Sequence, residues 1–160
     1  MKALVVYDSA YGNTQRVAEA IAATLAVEAT HSRAAAAGEL EGIDLLVAGS
    51  PTQGGRPTKV FQEYLRTIPN GRLDGVAVAA FDTRIPAADS GLPLRLLMNL
   101  IGYAAPRIAA DLKRKGGRQV IAPEGFVVEG KEGPLREGEL ERARGWAKQL
   151  QETIASVERP

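Results

Sequence analysis

The feature that most restricts the fold of this chain is the alternation of short apolar runs with amphipathic segments. Residues 4–7, 45–49 and 75–81 are uninterrupted runs of apolar and small residues, which is typical of parallel strands buried on both faces. Helical stripes with apolar residues three or four positions apart lie between and after them: Val17, Ala18, Ile21 and Leu25; Val60, Phe61, Tyr64 and Leu65; Leu140, Ala143, Ala147, Leu150 and Ile154. The order predicts an α/β protein of one domain, residues 1–160, with a parallel sheet and helices on both faces.

The remaining elements are weaker in the sequence. We expect a second strand at 27–32, and a fifth strand in two parts, 119–122 and 125–128. A helical region at 93–115 should be kinked or divided at Pro106, because proline cannot continue a helix without disruption. Thr14 is predicted to cap the first helix, and the last helix should begin near Glu137.

Composition excludes several classes of protein. The 160 residues are 45% hydrophobic and 24% charged, with a formal net charge of +1. This balance does not fit a strongly basic nucleic-acid binder or a disordered chain. No apolar run approaches the length of a membrane span. The chain contains no cysteine, so it can form neither disulfides nor thiolate metal sites. We therefore expect a cytoplasmic protein that binds no nucleic acid and does not insert into membranes.

Three polar loops follow predicted strands, at 8–14, 50–57 and 82–92. The carboxyl ends of parallel strands lie at one edge of the sheet, and ligands bind there. The first loop leads from a buried strand into the start of a helix, where free N–H groups and the helix dipole favour an anion. It predicts a phosphate site, with this list of residues: Ser9, Ala10, Tyr11, Gly12, Asn13 and Thr14. The alternative is a capped helix after a glycine turn, without a ligand.

The segment 5–21 resembles the strand–loop–helix signature of the flavodoxin family. The matching residues are Tyr7 at the strand end, Ser9, Gly12, Thr14 at the helix start, and Ala18 four residues later. The resemblance implies a flavodoxin-like three-layer sandwich with a five-stranded parallel sheet in the order 2-1-3-4-5. It also implies flavin mononucleotide (FMN) as the cofactor, with its phosphate in the first loop, and redox proteins as partners.

The resemblance also implies that the other two loops hold the flavin ring. The residues expected there are Pro51, Thr52, Gln53, Gly54 and Gly55 in one loop, and Phe81, Asp82, Thr83 and Arg84 in the other. In the family, a peptide of the first of these loops changes orientation when the flavin takes up a proton, and two glycines permit such a change. Backbone N–H groups near Asp82 and Thr83 would face the pyrimidine end of the ring. Phe81 also fits a core position.

Two features depart from the family pattern. Many flavodoxins place a Trp and a Tyr against the ring, whereas neither ring loop here contains either residue; the single Trp146 fits core packing. Many flavodoxins are also strongly acidic, and this chain is not. Because Arg56, Lys59 and Arg84 lie on or beside the ring loops, we expect cations to stabilise the anionic, fully reduced flavin.

Three functions remain open at this stage. The first is a low-potential one-electron carrier with bound FMN. The second is an FMN-dependent NAD(P)H:quinone oxidoreductase, and the third is a flavin-free regulatory module. The sole histidine, His31, fits a structural role rather than catalysis. A basic cluster, Lys113, Arg114, Lys115 and Arg118, fits either a solvated helix end or a docking surface for a partner.

Overall fold

The computed structural model describes residues 1–86 and 91–157. Strands and helices alternate along the chain as predicted. Their bounds are β1 Ala3–Tyr7, α1 Asn13–Thr24, β2 Ala29–His31, β3 Leu45–Pro51, α2 Lys59–Thr67, β4 Ala77–Arg84, α3 Leu92–Ile101, α4 Ala104–Arg114, β5 Arg118–Gln119, β6 Glu124–Val127 and α5 Glu139–Val157. A single turn of 3₁₀ helix, Ala37–Leu40, precedes β3.

All strands of the sheet are parallel, in the order β2-β1-β3-β4-β5. The last position is shared, because β5 pairs with the start of β4 and β6 pairs with its end. This arrangement confirms the predicted order 2-1-3-4-5 and the division of the fifth strand into two parts.

Two apolar cores lie on opposite faces of the sheet, as strand periodicity requires. In β1, Val5 contributes to the core beneath α1 and α5, while Val6 contributes to the core beneath α2 and α4. The α1 and α5 side is filled by residues such as Ile21 and Leu150, and the α2 and α4 side by residues such as Phe61. The sheet therefore has one layer of helices on each face.

Three aromatic side chains link the sheet to α5. The rings of Phe81, Phe126 and Trp146 meet edge to face, with centroids 6.2 to 6.4 Å apart. Gly49 leaves room for this cluster, because a Cβ at that position would lie 2.1 Å from Cζ of Phe81. The core position expected for Trp146 is confirmed.

Three features of these elements differ from the prediction: the end of β4, the point at which the helical region divides, and the cap of α1. Strand β4 continues through Arg84, where a loop was expected from residue 82, because β3 and β6 pair with it on both sides. The helical region divides at 102–103, and Pro106 lies in the first turn of α4, where its missing N–H has no intrahelical partner to lose. Helix α1 has Gly12 at its N-cap and no side-chain cap, so the prediction that Thr14 caps it was wrong.

Among the residues that the structure describes, no helix has both the length and the apolarity to cross a membrane. Residues 87–90 of the predicted loop 82–92 lie outside the described residues.

Candidate functional site

A cavity of about 450 Å³ opens at the carboxyl edge of the sheet. Four chain segments line it: the loop after β1 with the start of α1, the end of β3, the end of β4, and the segment after β6. The lining residues are Ala10, Tyr11, Asn13, Thr14, Pro51, Thr52, Gln53, Thr83, Arg84, Ile85, Val128 and Lys131. Parallel strands bring these distant segments together because all of them end at the same edge.

The start of α1 forms one end of the cavity. No side chain caps this helix, so its first-turn N–H groups have no intrahelical acceptor and carry the positive end of the helix dipole. The Ser9 hydroxyl accepts a hydrogen bond from the Gly12 N–H at 3.0 Å. This bond holds the loop closed and leaves the hydroxyl proton of Ser9 for another acceptor. The donors present here suit an anion.

Two hydrogen bonds fasten this end of the cavity to other elements. The hydroxyls of Thr14 and Thr83 lie 2.7 Å apart, and both side chains are buried. Asn13 donates from its side-chain amide to the Glu132 carbonyl at 3.0 Å. The helix start is thus held against the end of β4 and against the segment after β6.

The segment after β6 forms a compact hairpin. Val128 and Leu135 form an antiparallel bridge, and the Glu129 N–H donates to the Pro134 carbonyl at 2.9 Å. The hairpin packs so closely on α1 that a Cβ on Gly133 would lie 2.7 Å from the Asn13 amide. Its exposed Lys131 lines the cavity, and the carbonyl of the next residue, Glu132, accepts a hydrogen bond from the Asn13 amide at the helix start.

A second, tighter hairpin follows β3. The backbones of Gln53 and Arg56 exchange two hydrogen bonds, of 2.8 and 3.1 Å. Between them Gly54 and Gly55 have φ of +57° and +77°, the left-handed pair that a two-residue type I′ turn requires. Gly55 is buried, and a Cβ on it would lie 2.0 Å from Cγ2 of Ile101. Of the two glycines, only Gly54 has open space around its Cα.

A buried ion pair lies beneath the end of β4. Arg84 donates to both oxygens of Asp82, each bond being 2.7 Å, and its Cζ lies 3.8 Å from the centre of the Tyr103 ring. Asp82 is fully buried and also accepts the Ala105 N–H at 2.8 Å and a bond from the Thr52 hydroxyl. Burial raises the pKa of the Asp82 carboxyl, and the Arg84 guanidinium opposes that rise. The charge of Arg84 is therefore balanced locally, unlike the free cation expected from the sequence.

Asp8 connects the anion-binding loop to the rest of the edge. Its carboxylate lies 3.1 Å from Nε2 of His31 and accepts a hydrogen bond from the Thr58 hydroxyl, which also caps α2. Nδ1 of His31 accepts the Arg33 N–H at 3.2 Å. Both nitrogens of the imidazole are thus engaged in holding the loop, as the structural role predicted for His31 requires.

Nine of the residues predicted for the site line the cavity, namely Ala10, Tyr11, Asn13, Thr14, Pro51, Thr52, Gln53, Thr83 and Arg84. The other six predicted residues are not among the lining residues: Ser9, Gly12, Gly54, Gly55, Phe81 and Asp82. The Phe81 side chain points into the aromatic core. The backbones of Asp82 and Thr83 belong to ladders with β3 and β6, so these ladders take the N–H groups that were expected to face the ring.

Three lining residues were missed by sequence reasoning: Ile85, Val128 and Lys131. Val128 and Lys131 follow the fifth strand position, so the rule that ligands bind beyond strand ends applies to them as well. That rule was applied to three loops and not to the fourth.

The shape and chemistry of the cavity fit a molecule with an anionic end and a flat apolar body. The helix donors and Lys131 supply positive potential, and Pro51, Ile85 and Val128 supply apolar surface. FMN has this combination of groups, and the residues present fit it.

Comparison with known proteins agrees with this geometry. A family model described as a flavodoxin domain matches residues 4–94. No curated protein matches the chain. Flavodoxin 2 from Bacillus cereus superposes with a TM-score of 0.74 at 22% identity, over 95% of this chain and 99% of that one. A flavodoxin from Archaea gives 0.71 at 20% identity, over 97% and 99% of the two chains.

A WrbA-like protein from Agrobacterium tumefaciens has a TM-score of 0.68 at 20% identity, over 97% of this chain and 98% of that one. Identities at this level show a shared fold. The family model extends over more than half of the sequence, and the protein therefore belongs to the flavodoxin domain family.

Proposed function

We propose that this protein binds FMN in the cavity and carries single electrons between redox proteins. One observation carries the proposal: the cavity joins an uncapped helix start, rich in N–H donors, to an apolar wall at the ends of the neighbouring strands. When bound, FMN supplies one- and two-electron redox chemistry. The protein's part is to bind and orient the cofactor.

Each part of the cavity has a role in this proposal. The first-turn N–H groups of α1 and the hydroxyls of Ser9 and Thr14 would hold the phosphate. Lys131 would add a positive charge on the same side. The hairpin 53–56 would lie at the ring, where the open surroundings of Gly54 allow a change of peptide orientation that the packing of Gly55 against Ile101 resists.

Riboflavin is FMN without the phosphate, so a comparison of the affinities for FMN and riboflavin tests the proposed phosphate site. Removing the charge in Lys131→Gln should weaken FMN binding roughly tenfold, the scale of a charge-assisted hydrogen bond, and leave riboflavin affinity unchanged. Flavin fluorescence quenching measures both constants. Lys148→Gln, which changes an exposed lysine of α5, is the matched control.

Equal affinities of the wild-type protein for FMN and riboflavin would contradict a phosphate site. Failure of both to bind would favour the flavin-free module instead.

A second candidate is an FMN-dependent NAD(P)H:quinone oxidoreductase. Among the described residues that line the cavity, Tyr11 is the only aromatic one, and it is 49% exposed. An open cavity face favours access for a substrate. Stepwise reduction of the FMN-loaded protein distinguishes the oxidoreductase from the electron carrier. Direct two-electron bleaching by NADPH with turnover of a quinone would favour the enzyme. A one-electron-reduced flavin under dithionite, without turnover of NADPH, would favour the carrier.

A further inference from the structure

A groove lined mainly by positively charged side chains runs along the face of the molecule between α2 and α4. Two adjoining depressions form it, and both are lined by Gln62 and Asp111. Its charged lining residues are Arg56, Arg66, Arg107, Arg114, Lys115 and Asp111. Five cations thus face one carboxylate, in a chain whose formal net charge is only +1. We refer to it as the basic groove.

The cations of the basic groove are mostly uncompensated. Within the described part of the chain, only Arg114 among them pairs with a carboxylate, that of Asp111. Arg107 donates to the Ile101 carbonyl at 3.1 Å and Lys115 to the Ile68 carbonyl at 2.6 Å. Burial and the nearby Arg114 lower the pKa of Lys115. The groove therefore retains positive charge that an anionic partner can neutralise.

Helix stability does not explain this distribution of charge. Cations near a helix C-terminus are stabilised by the dipole, which accounts for Arg66, Arg114 and Lys115. Arg107, however, lies near the start of α4, and Arg56 lies just before α2. At those ends the dipole disfavours a positive charge. Arg107 gains a hydrogen bond to the Ile101 carbonyl at the end of α3, so Arg56 is the groove cation that no helix terminus accounts for.

The basic groove begins at the edge of the cavity. Arg56 exchanges both backbone hydrogen bonds with Gln53, which lines the cavity. From there the groove follows α4, whose 11 residues span about 16 Å. An extended peptide of about five residues covers that distance. A segment bound in the groove would bring its parent protein to the proposed flavin site.

We propose that the basic groove binds an extended acidic segment, rich in Asp and Glu, on the protein that exchanges electrons with this one. Arginine forks match carboxylates with paired hydrogen bonds. The described residues that line the groove include no aromatic side chain, whereas sites for single-stranded nucleic acid use aromatic stacking. The description of the partner as a redox protein rests on the proposed function; the preference of the groove for carboxylates does not.

A fluorescent peptide of eight glutamates tests the proposal, with eight glutamines as the control peptide. Anisotropy titration at low salt should show saturable binding of the glutamate peptide alone, weakening as salt screens the charges. The triple variant Arg56→Gln, Arg107→Gln, Arg114→Gln should bind it at least roughly tenfold more weakly. The variant Arg33→Gln, Arg118→Gln, Lys148→Gln loses the same charge at exposed positions outside the groove and should stay within about twofold.

Three results would overturn the proposal: no binding to the wild-type protein at low salt, equal losses in the two triple variants, or tighter binding of NADPH or an eight-nucleotide thymidine strand with the same dependence on the three arginines. Should the triple variant fail to fold, Arg56→Gln alone in the exposed hairpin gives the same comparison against Arg33→Gln. Titrations with and without FMN distinguish the proposed function from the proposed peptide site. If the protein did not bind FMN, the proposed function would be refuted and the peptide result would still stand.

Discussion

Single arginines hold two buried carboxylates of this protein, one at the end of β4 and one at the start of α5. Arg84 binds both oxygens of Asp82 beneath the cavity, and Arg142 does the same for Glu139 at the start of α5. Glu139 also accepts the Val127 N–H at 2.6 Å, which ties α5 to the end of β6. Glu139 is buried, although it lies in the highly charged first turn of α5.

These contacts predict a pH dependence of stability. Burial works against the ionised form of Glu139, but the bonds from Arg142 and Val127 outweigh it and lower the pKa. The unfolded chain then takes up a proton near the ordinary value of about 4.3, above the pKa of the folded state. Below that pH the unfolded state binds more protons, so the free energy of unfolding falls as the solution is acidified.

Replacing Glu139 by Gln should flatten this acid dependence and lower the free energy of unfolding near neutral pH by about 1–2 kcal/mol. Urea unfolding at several pH values measures both effects. Glu141→Gln, at an exposed residue paired with Arg144, is the control and should change little. An unchanged acid dependence in Glu139→Gln would remove this carboxylate from the explanation.

At the scale of elements, the two hairpins determine the shape of the cavity. The hairpin 53–56 needs left-handed residues at both central positions, and the sequence already placed two glycines there. The sequence does not show that Gly55 is tightly packed and Gly54 is not, because the difference depends on Ile101, a residue distant along the chain.

The difference in packing predicts unequal effects of alanine in this hairpin. Gly54→Ala should cost about 1–2 kcal/mol, the strain of a left-handed alanine in open space. Gly55→Ala carries the same strain and also places a Cβ 2.0 Å from Ile101, so it should cost clearly more. Denaturant unfolding compares the two variants. If Gly54→Ala proved as damaging as Gly55→Ala, the contact with Ile101 would not be decisive.

At the scale of the whole molecule, a tight contact between two strands of the sheet leads on to α5. Gly49 in β3 lies opposite Phe81 in β4, and the Phe81 ring continues to Trp146 in α5. Interiors packed to this density tolerate added volume poorly.

A double-mutant cycle tests this coupling. Gly49→Ala should destabilise the protein by about 1–3 kcal/mol through overpacking against Phe81. Combined with Phe81→Leu, which vacates the space, the loss should be smaller than the sum of the single losses by about 1 kcal/mol. Urea unfolding of the wild-type protein, the two single variants and the double variant gives the four free energies of unfolding that the cycle compares. Additive losses would show that the two sites do not interact.

The alternation of strands and helices and the polar loop at the start of α1 were predictable from the sequence, because hydrophobic periodicity and loop composition are local properties. The order of the strands in the sheet was implied only by the resemblance to flavodoxins. The sequence by itself did not reveal that Asp82–Thr83 belong to β4, since that depends on partner strands on both sides. It also did not reveal Lys131 at the cavity. It indicated a basic cluster that contains Arg114 and Lys115, but not that these two meet three distant arginines in the basic groove. Both placements depend on which distant segments the register of the sheet and the packing of the helices bring together, and only the tertiary structure decides that.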